Sequence, residues 1–256
     1  TGDDVSVAGT PTATFDSANS GTGKSVTVTG YSLAGADADL YELVSQPVLA
    51  ANITANSLGS GAIGFIAPGS LVYDGDPKVY AANAAGVSGF TYSYEGRNGT
   101  VYGPSEDAPS DAGDYTVTAT STDANNPGTA TQDFTIQKAT QTISFGSLPT
   151  LAAGAPGLVL GATASSGLEV SYTSSNTGVA TVANGAATVV GTGTTTITAS
   201  QAGNENYEAA TPVARTLTVQ TVWDAWAAGY NLAGANRTHG ADPDGDGFSN
   251  AHEFAF

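Results

Sequence analysis

The chain has 256 residues, enough for about two or three small domains, and a formal net charge of -17. Its six lysine and arginine residues exclude a basic surface for nucleic acid or an anionic membrane face. The absence of cysteine excludes disulfides, so small secreted domains would depend on their cores or on a metal ion. The chain has no methionine and no run of about 18 apolar residues. We therefore expect a fragment or a processed product that does not insert into a membrane.

Residues 1–54 are predicted to form period-two strands separated by glycine turns. Val26 and Val28, for example, alternate with threonines. The run ATFDSANSGTGKSVTVTGYSLAGADADLYEL resembles the second half of the YDG repeat of large bacterial surface proteins. The opening half of that repeat, with its Tyr-Asp-Gly strand, has no counterpart here. The resemblance therefore implies a partial domain whose open groove invites an added strand.

Residues 55–138 are predicted to form a second β-domain. Tyr73-Asp74-Gly75 marks a strand end and a turn, and Asn98-Gly99 has the composition of a hairpin turn. The runs SLVYDGDPKVYAA, FTYSYEGRNGTVYG and DAPSDAGDYTVTATSTD resemble an MBG-type Ig-like domain of bacterial adhesins. Residues 111–115 are similar to a tyrosine corner, in which the Tyr115 hydroxyl would tie a loop across the sandwich.

An aromatic stripe of Phe90, Tyr92 and Tyr94 lies on one face of a predicted strand of this domain. Such alternation typically fills the interior of a sandwich, so we predict that the stripe belongs to the core. A platform for stacking sugars is the alternative.

Residues 139–220 are predicted to form a third β-domain. Leu168, Val170 and Tyr172 alternate with polar residues, as in a half-buried strand, and Asn184-Gly185 indicates a hairpin. The segment SSNTGVATVANGAATVVGTGTTTITASQAGNENY resembles bacterial Ig-like repeats. Linkers of a few residues separate the three β-domains. The predicted fold is therefore all-β, with tandem Ig-like sandwiches in an elongated array and a short helical clip at the end.

Residues 221–256 change to a helical pattern. Thr221 is a predicted helix cap, with Asp224 reaching back to it, and Gly229 is a predicted stop. Trp223, Trp226 and Tyr230 recur at helical spacing. We expect the two tryptophans to pack the helix against the third sandwich, and binding of a ligand is the alternative. The run NAHEFAF should begin a second short helix.

Between these helices lies a stretch with the full spacing of a twelve-residue EF-hand loop. Gly247 stands at position six, where the loop must turn sharply. The predicted oxygen ligands are Asp242, Asp244, Asp246, the carbonyl of Phe248, Asn250 directly or through water, and Glu253. Calcium is the expected ion because it takes about 6–8 oxygens in a flexible loop. The tail resembles dockerin-like or thrombospondin-type-3-like loops, although Ser249 replaces the usual apolar residue. We expect one structural site.

No set of residues in the sequence has the spacing of a catalytic centre, and we predict that the chain is not an enzyme. His239 and His252 are interpreted as solvated residues beside the acidic loop. Together the resemblances imply a structural or adhesive stalk, or an extracellular fibre segment, of a large secreted bacterial surface protein. The alternative is a non-catalytic spacer or carbohydrate-binding region of a secreted polysaccharide-degrading enzyme. The partner is left open between a protein and a glycan, with self-association through the partial first domain as a further possibility.

Overall fold

The computed structural model describes residues 2–59 and 61–255, and these form seventeen β-strands and two short α-helices. The all-β fold class with a short helical end is confirmed. The chain divides into two compact units, residues 1–136 and residues 137–256. Among the described residues, no helix has the length and apolar character needed to cross a membrane.

The first unit begins with an antiparallel three-stranded sheet in the order β1-β2-β3. Its strands are β1 (Ser6–Phe15), β2 (Gly21–Ala34) and β3 (Val48–Ile53). Val26 and Val28 on β2 are buried, but Val48 and Leu49 on β3 stay 77% and 55% exposed. The sheet therefore has a thin apolar centre and exposes much of its remaining apolar surface.

A bulge interrupts the pairing of β1 with β2 between Gly9 and Thr12. Gly9 has a φ of +100°, and a Cβ there would lie 2.1 Å from the carbonyl oxygen of Gly30. Only glycine fits this backbone conformation and this close approach of the two strands.

The rest of the first unit is a small β-sandwich. One layer pairs β4 (Gly64–Ile66) with β5 (Ala81–Asn83). The other layer is the antiparallel sheet of β6 (Phe90–Arg97), β7 (Gly113–Ser121) and β8 (Thr129–Ile136). The buried cluster that joins the layers consists of Tyr80, Tyr94, Tyr115, Val117, Phe134 and Ile136. Alternation along β7 buries every second residue and so produces this core.

Tyrosine hydroxyls make hydrogen bonds to main-chain groups inside this sandwich. The hydroxyl of Tyr94 accepts from the buried N–H of Tyr80 at 3.1 Å, and that of Tyr92 accepts from the N–H of Ala82 at 2.8 Å. Tyr115 donates to the carbonyl of Asp111 at 2.9 Å, which confirms the predicted tyrosine corner. Tyr94 is only 2% exposed, so this member of the aromatic stripe lies in the core.

The loop of residues 123–128 fastens the first sheet to this sandwich. The side-chain oxygen of Asn125 accepts from the N–H of Ser20 at 2.6 Å, and the Ser20 hydroxyl donates to the carbonyl of Ala124 at 2.9 Å. The same loop pairs with the connecting segment, where Leu58 N–H donates to the carbonyl of Pro127 at 2.9 Å. The first sheet thus gains hydrogen bonds that its own strands do not supply.

The second unit begins with another β-sandwich. One sheet has the order β10-β17-β16-β13, and a second has the order β11-β15-β14. A short pair of β12 with β9 completes the layers. The strands are β9 (Ile143–Ser144), β10 (Leu151–Ala152), β11 (Leu158–Val159), β12 (Thr163–Ala164), β13 (Ser171–Ser174), β14 (Ala180–Ala183), β15 (Ala186–Val189), β16 (Gly193–Ser200) and β17 (Val213–Gln220).

The core of this sandwich is built from alternating apolar residues on both sheets. Ile197 on β16, Leu217 on β17 and Ala187 on β15 are fully buried in one cluster. Asn184 and Gly185 have φ angles of 49° and 73° and connect β14 to β15, which confirms the predicted hairpin. Tyr172 repeats the arrangement of the first unit, because its hydroxyl accepts from the N–H of Ala162 at 2.9 Å.

The tail of the second unit contains α1 (Val222–Gly229), a 3₁₀ turn (Gly234–Arg237) and α2 (Asn250–Ala255). The predicted stop at Gly229 and the predicted second helix are both confirmed. Helix α1 contacts β10 of the sandwich. The acidic loop lies between the 3₁₀ turn and α2.

Candidate metal centre

Helix α1 is fixed at its start by a cap and an ion pair. The hydroxyl of Thr221 accepts from the N–H of Asp224 at 3.0 Å and donates to the Asp224 carboxylate at 2.7 Å. Arg237 binds the same carboxylate at 2.8 Å and thereby joins the 3₁₀ turn to the helix. These hydrogen bonds, that of Thr221 first and that of Arg237 second, lower the pKa of Asp224. The cap was predicted, but nothing in the sequence indicated the role of Arg237.

The two helices of the tail meet through aromatic rings. The rings of Trp223 and Trp226 lie 5.4 Å and 5.8 Å from the ring of Phe254 on α2. Trp223 also stacks on His239 at 3.7 Å, and Trp226 lies 5.0 Å from Tyr230. These ring contacts lie within the tail, while helix α1 as a whole contacts β10 of the sandwich, as the expected packing of this helix requires. His239 is exposed, as expected, but it also covers Trp223.

Backbone N–H groups shape the acidic loop around its own carboxylates. The two oxygens of Asp242 accept from Gly245 N–H at 2.9 Å and Gly247 N–H at 3.1 Å. Asp246 accepts from Phe248 N–H at 2.8 Å. Gly247 has a φ of +91°, in the region that favours glycine, as its place at position six predicts. The loop is thus folded back on its first residue.

The predicted acidic ligands lie close together. Asp242, Asp244 and Asp246 each offer a carboxylate oxygen within 4.8 Å of the others, and all three are exposed. Burial raises the pKa of Glu253, and the negative charges of Asp244, Asp246 and Asp242 raise it further. Glu253 on α2 therefore stands in the field of the three aspartates, although it is seven or more residues away from them in the sequence.

Asn250 differs from the other predicted ligands because it is fully buried. Its Nδ2 donates to the carbonyls of Asn236 at 2.6 Å and Thr238 at 2.9 Å, so the amide holds the 3₁₀ turn against α2. Its Oδ1 is buried and has no hydrogen-bond partner within the described residues. If Asn250 contributes to metal binding, Oδ1 is the atom left to do so. The sequence pattern gave no sign of the anchoring role of Nδ2.

Two main-chain hydrogen bonds close the base of the loop. Asn250 N–H donates to the carbonyl of Ala241 at 2.8 Å, and Ala251 N–H donates to the carbonyl of His239 at 2.9 Å. Phe248, whose carbonyl is a predicted ligand, exposes 51% of its surface, and its ring lies 5.0 Å from that of His252. The two ends of the loop are therefore held together by main-chain hydrogen bonds, while its aspartates and Phe248 are exposed.

A cavity of about 190 Å³ lies beside the acidic loop. Its lining residues are Trp226, Tyr230, Leu232, Pro243, Asp244, Asn250 and Glu253. The lining therefore combines aromatic and aliphatic side chains with two of the predicted acidic ligands. Sequence spacing did not reveal this cavity, because Tyr230 and Glu253 lie far apart in the chain.

The donor set suits a hard cation. Carboxylate and carbonyl oxygens are the ligands of calcium and magnesium, whereas zinc prefers the nitrogen and sulfur donors of His and Cys. The chain has no cysteine, and both histidines contact aromatic rings. The clustered carboxylates, the turn at Gly247 and the orphaned Oδ1 of Asn250 thus fit the predicted calcium.

Two segments of the chain match known family models. Residues 1–48 match the family model of the YDG domain, and residues 67–140 match that of the MBG domain. Both types of domain are associated with extracellular adhesin-like or repeat regions. No curated protein matches the chain. The family matches thus support the first two resemblances that the sequence suggested.

Proposed function

We propose that this chain is a structural or adhesive segment of a large secreted bacterial surface protein, and that calcium rigidifies its tail. The match of residues 1–48 and 67–140 to YDG and MBG domains carries the proposal. Strand ladders and packed cores in both units suit a load-bearing role, in which each domain resists extension. The acidic exterior that a net charge of -17 implies keeps such a segment soluble.

Calcium would be held by the carboxylates of Asp242, Asp244, Asp246 and Glu253, with the Phe248 carbonyl and Oδ1 of Asn250 as further candidate donors. The bound ion supplies positive charge that offsets the repulsion among these carboxylates. Extracellular calcium modules typically bind with a Kd of about 10⁻⁴–10⁻³ M, which suits a site that fills outside the cell. At about a hundredfold excess over the Kd, binding would add about 2.7 kcal/mol to the stability of the folded tail.

Calcium titration of the full chain tests this proposal. The chain has two tryptophans, and both lie on α1, so their fluorescence reports on the tail. We expect calcium to change this fluorescence and to raise the melting temperature of the tail, and a chelator to reverse both effects.

A matched pair of variants makes the test specific. Asp244→Asn removes one predicted ligand charge and should weaken calcium binding by about tenfold or more, whereas Asp39→Asn in the first unit should have no effect. Unchanged fluorescence and melting on addition of calcium to the natural chain would refute the calcium part of the proposal.

We propose further that the chain is not catalytic. His239 and His252, the two histidines of the sequence, both contact aromatic rings in the tail. A spacer or carbohydrate-binding region of a polysaccharide-degrading enzyme is the second candidate. The cavity with Trp226 and Tyr230 in its wall favours it, because sugar sites commonly combine aromatic and polar side chains.

We also propose that the chain associates with a second copy of itself through the first sheet. Val44, Val48 and Leu49 are 93%, 77% and 55% exposed, which leaves apolar surface that a second copy could cover. Light scattering during size-exclusion chromatography, over a range of concentrations, should show a dimer or larger species. Val48→Thr should lower its amount. A particle that remains monomeric at the highest concentration would rule this out.

A further inference from the structure

The cavity beside the acidic loop offers hydrogen-bond acceptors and an aromatic surface. Its charged groups are the carboxylates of Asp244 and Glu253, and its buried polar group is the amide of Asn250. Both Nδ2 hydrogens of that amide are used by main-chain carbonyls, and Oδ1 is buried without a partner. A ligand of this cavity must therefore donate hydrogen bonds, because every one of these three polar groups accepts them.

The charge of the site narrows the class of ligand. Anions are disfavoured by the carboxylates and by the net charge of -17. An organic cation would suit the free carboxylates, but a bound divalent cation would offset two of the four negative charges of the proposed ligands and would occupy oxygens that the organic cation needs. A neutral hydroxyl compound is compatible with the ion, because each carboxylate has two oxygens and a hydroxyl can donate to an oxygen that the ion leaves accessible.

The lining residues Trp226 and Tyr230 add a second requirement. Their rings lie 5.0 Å apart with an interplanar angle of 43°, and Tyr230 is 67% exposed. Aromatic faces favour ligands with an apolar side. A pyranose ring combines a face of C–H groups with a rim of hydroxyl donors. The volume of about 190 Å³ lies below the range of about 300–1,000 Å³ for drug-sized ligands, so one sugar ring is the expected size.

We propose that this cavity binds a neutral hexopyranose unit, for example one residue of a surface glycan. The apolar face of the sugar packs on Trp226 and Tyr230. Its hydroxyls donate to the oxygens of Asp244 and Glu253 that the ion does not occupy, and to the second lone pair of the Asn250 Oδ1. The selection of a neutral sugar over an organic cation rests on the proposed calcium site. This assigns a glycan-binding role to the tail, in addition to its role as a calcium-stabilised end.

The test uses the full chain and three probes, namely the methyl glycosides of mannose, galactose and fucose. Calcium binding is first measured without sugar by isothermal calorimetry. Each glycoside is then titrated into the calcium-loaded chain and detected by tryptophan fluorescence and by saturation-transfer NMR. We expect at least one glycoside to bind with a millimolar Kd, and tetramethylammonium not to displace it.

Two variants at one position isolate the contribution of the ring. Tyr230→Ala should leave calcium affinity unchanged but weaken glycoside binding by about three- to tenfold, the factor that corresponds to loss of one aromatic contact. Tyr230→Phe keeps the ring and should bind as the natural chain does. Tyr41→Ala, which removes another exposed tyrosine in the first unit, is the matched control and should change nothing.

The outcomes separate the two proposals. Failure of calcium to bind would remove the proposed calcium site and, with it, the reason for preferring a sugar to a cation. Calcium binding without a response to any of the three glycosides would overturn the sugar site and leave the calcium site intact. Equal glycoside binding by the natural chain and by Tyr230→Ala would also overturn it, because the sugar would then bind elsewhere.

Discussion

Replacement of Tyr94 by phenylalanine tests how the MBG-like sandwich satisfies its main chain. The hydroxyl of Tyr94 accepts from the N–H of Tyr80 at 3.1 Å, and both residues are buried, at 2% and 5% exposure. Tyr94→Phe removes the acceptor and preserves the ring that packs on Phe134. The variant should therefore leave a buried N–H group without a partner while changing little of the core packing.

The size of the effect follows from what remains after the substitution. An unsatisfied buried donor costs about 1–3 kcal/mol in the free energy of unfolding. Tyr115→Phe is the comparison, because Tyr115 donates its hydroxyl hydrogen to the carbonyl of Asp111, an exposed residue that water can reach. Loss of that hydrogen bond should cost only about 0.5–1.5 kcal/mol. We therefore expect Tyr94→Phe to destabilise the sandwich more than Tyr115→Phe.

Urea denaturation of the full chain, followed by NMR, measures this difference. The amide signals of Val117 and Ala119 report on the sandwich, because both residues are fully buried in it. Hydrogen exchange at the Tyr80 amide should also accelerate in Tyr94→Phe and stay unchanged in Tyr115→Phe. Equal destabilisation by the two variants, or an unchanged exchange rate at Tyr80, would refute the assignment of that N–H to the Tyr94 hydroxyl.

Three further predictions concern the second unit. Thr221→Ala should destabilise α1 by about 0.5–2 kcal/mol, measured by tryptophan fluorescence during urea unfolding, because it removes the cap for the Asp224 N–H. Leu217→Ala should cost about 2–5 kcal/mol in calorimetry, since Leu217 is fully buried, whereas Val159→Ala at an exposed position should cost little. Without calcium, the raised pKa of Glu253 means that the folded tail binds this proton more tightly than the unfolded chain does. The melting temperature of the tail should therefore rise as the pH falls from 7 towards the usual Glu value of 4.5. It should fall again below the usual Asp value of 3.8, because the lowered pKa of Asp224 stabilises the folded state only while Asp224 is ionised. A tail that loses stability steadily between pH 7 and 4.5 would contradict the effect assigned to Glu253.

The sequence predicted features that depend on neighbouring residues. Asn184-Gly185 forms its hairpin because both residues tolerate a positive φ, and Thr221 caps α1 because its hydroxyl reaches an N–H three residues on. The acidic loop is similar, since the spacing of Asp242, Asp244 and Asp246 places their carboxylates together once Gly247 turns the chain.

Features that depend on distant residues could not be predicted in this way. The stacking of His239 on Trp223 and the hold of Asn250 on the carbonyls of Asn236 and Thr238 arise only when the tail folds. The pattern of an EF-hand loop predicts a ligand at position nine, which is Asn250. It contains no information about the hydrogen bonds that the Nδ2 of this buried amide makes inside the tail. The cavity beside Tyr230 is likewise a product of packing between elements.

The dependence of the first sheet on the loop of residues 123–128 has a mechanical consequence. This sheet buries only two valines among its described residues, and it depends on hydrogen bonds between Ser20 and the loop. It should therefore unfold at a lower force than the rest of its unit when the chain is pulled. Residues 6–53 would then extend to about 160 Å of chain before the sandwich of β4 to β8 unfolds. In a protein that tethers a cell to a surface in flowing water, unfolding of this stretch would limit the peak force on the tether. The stretch would refold when the force falls.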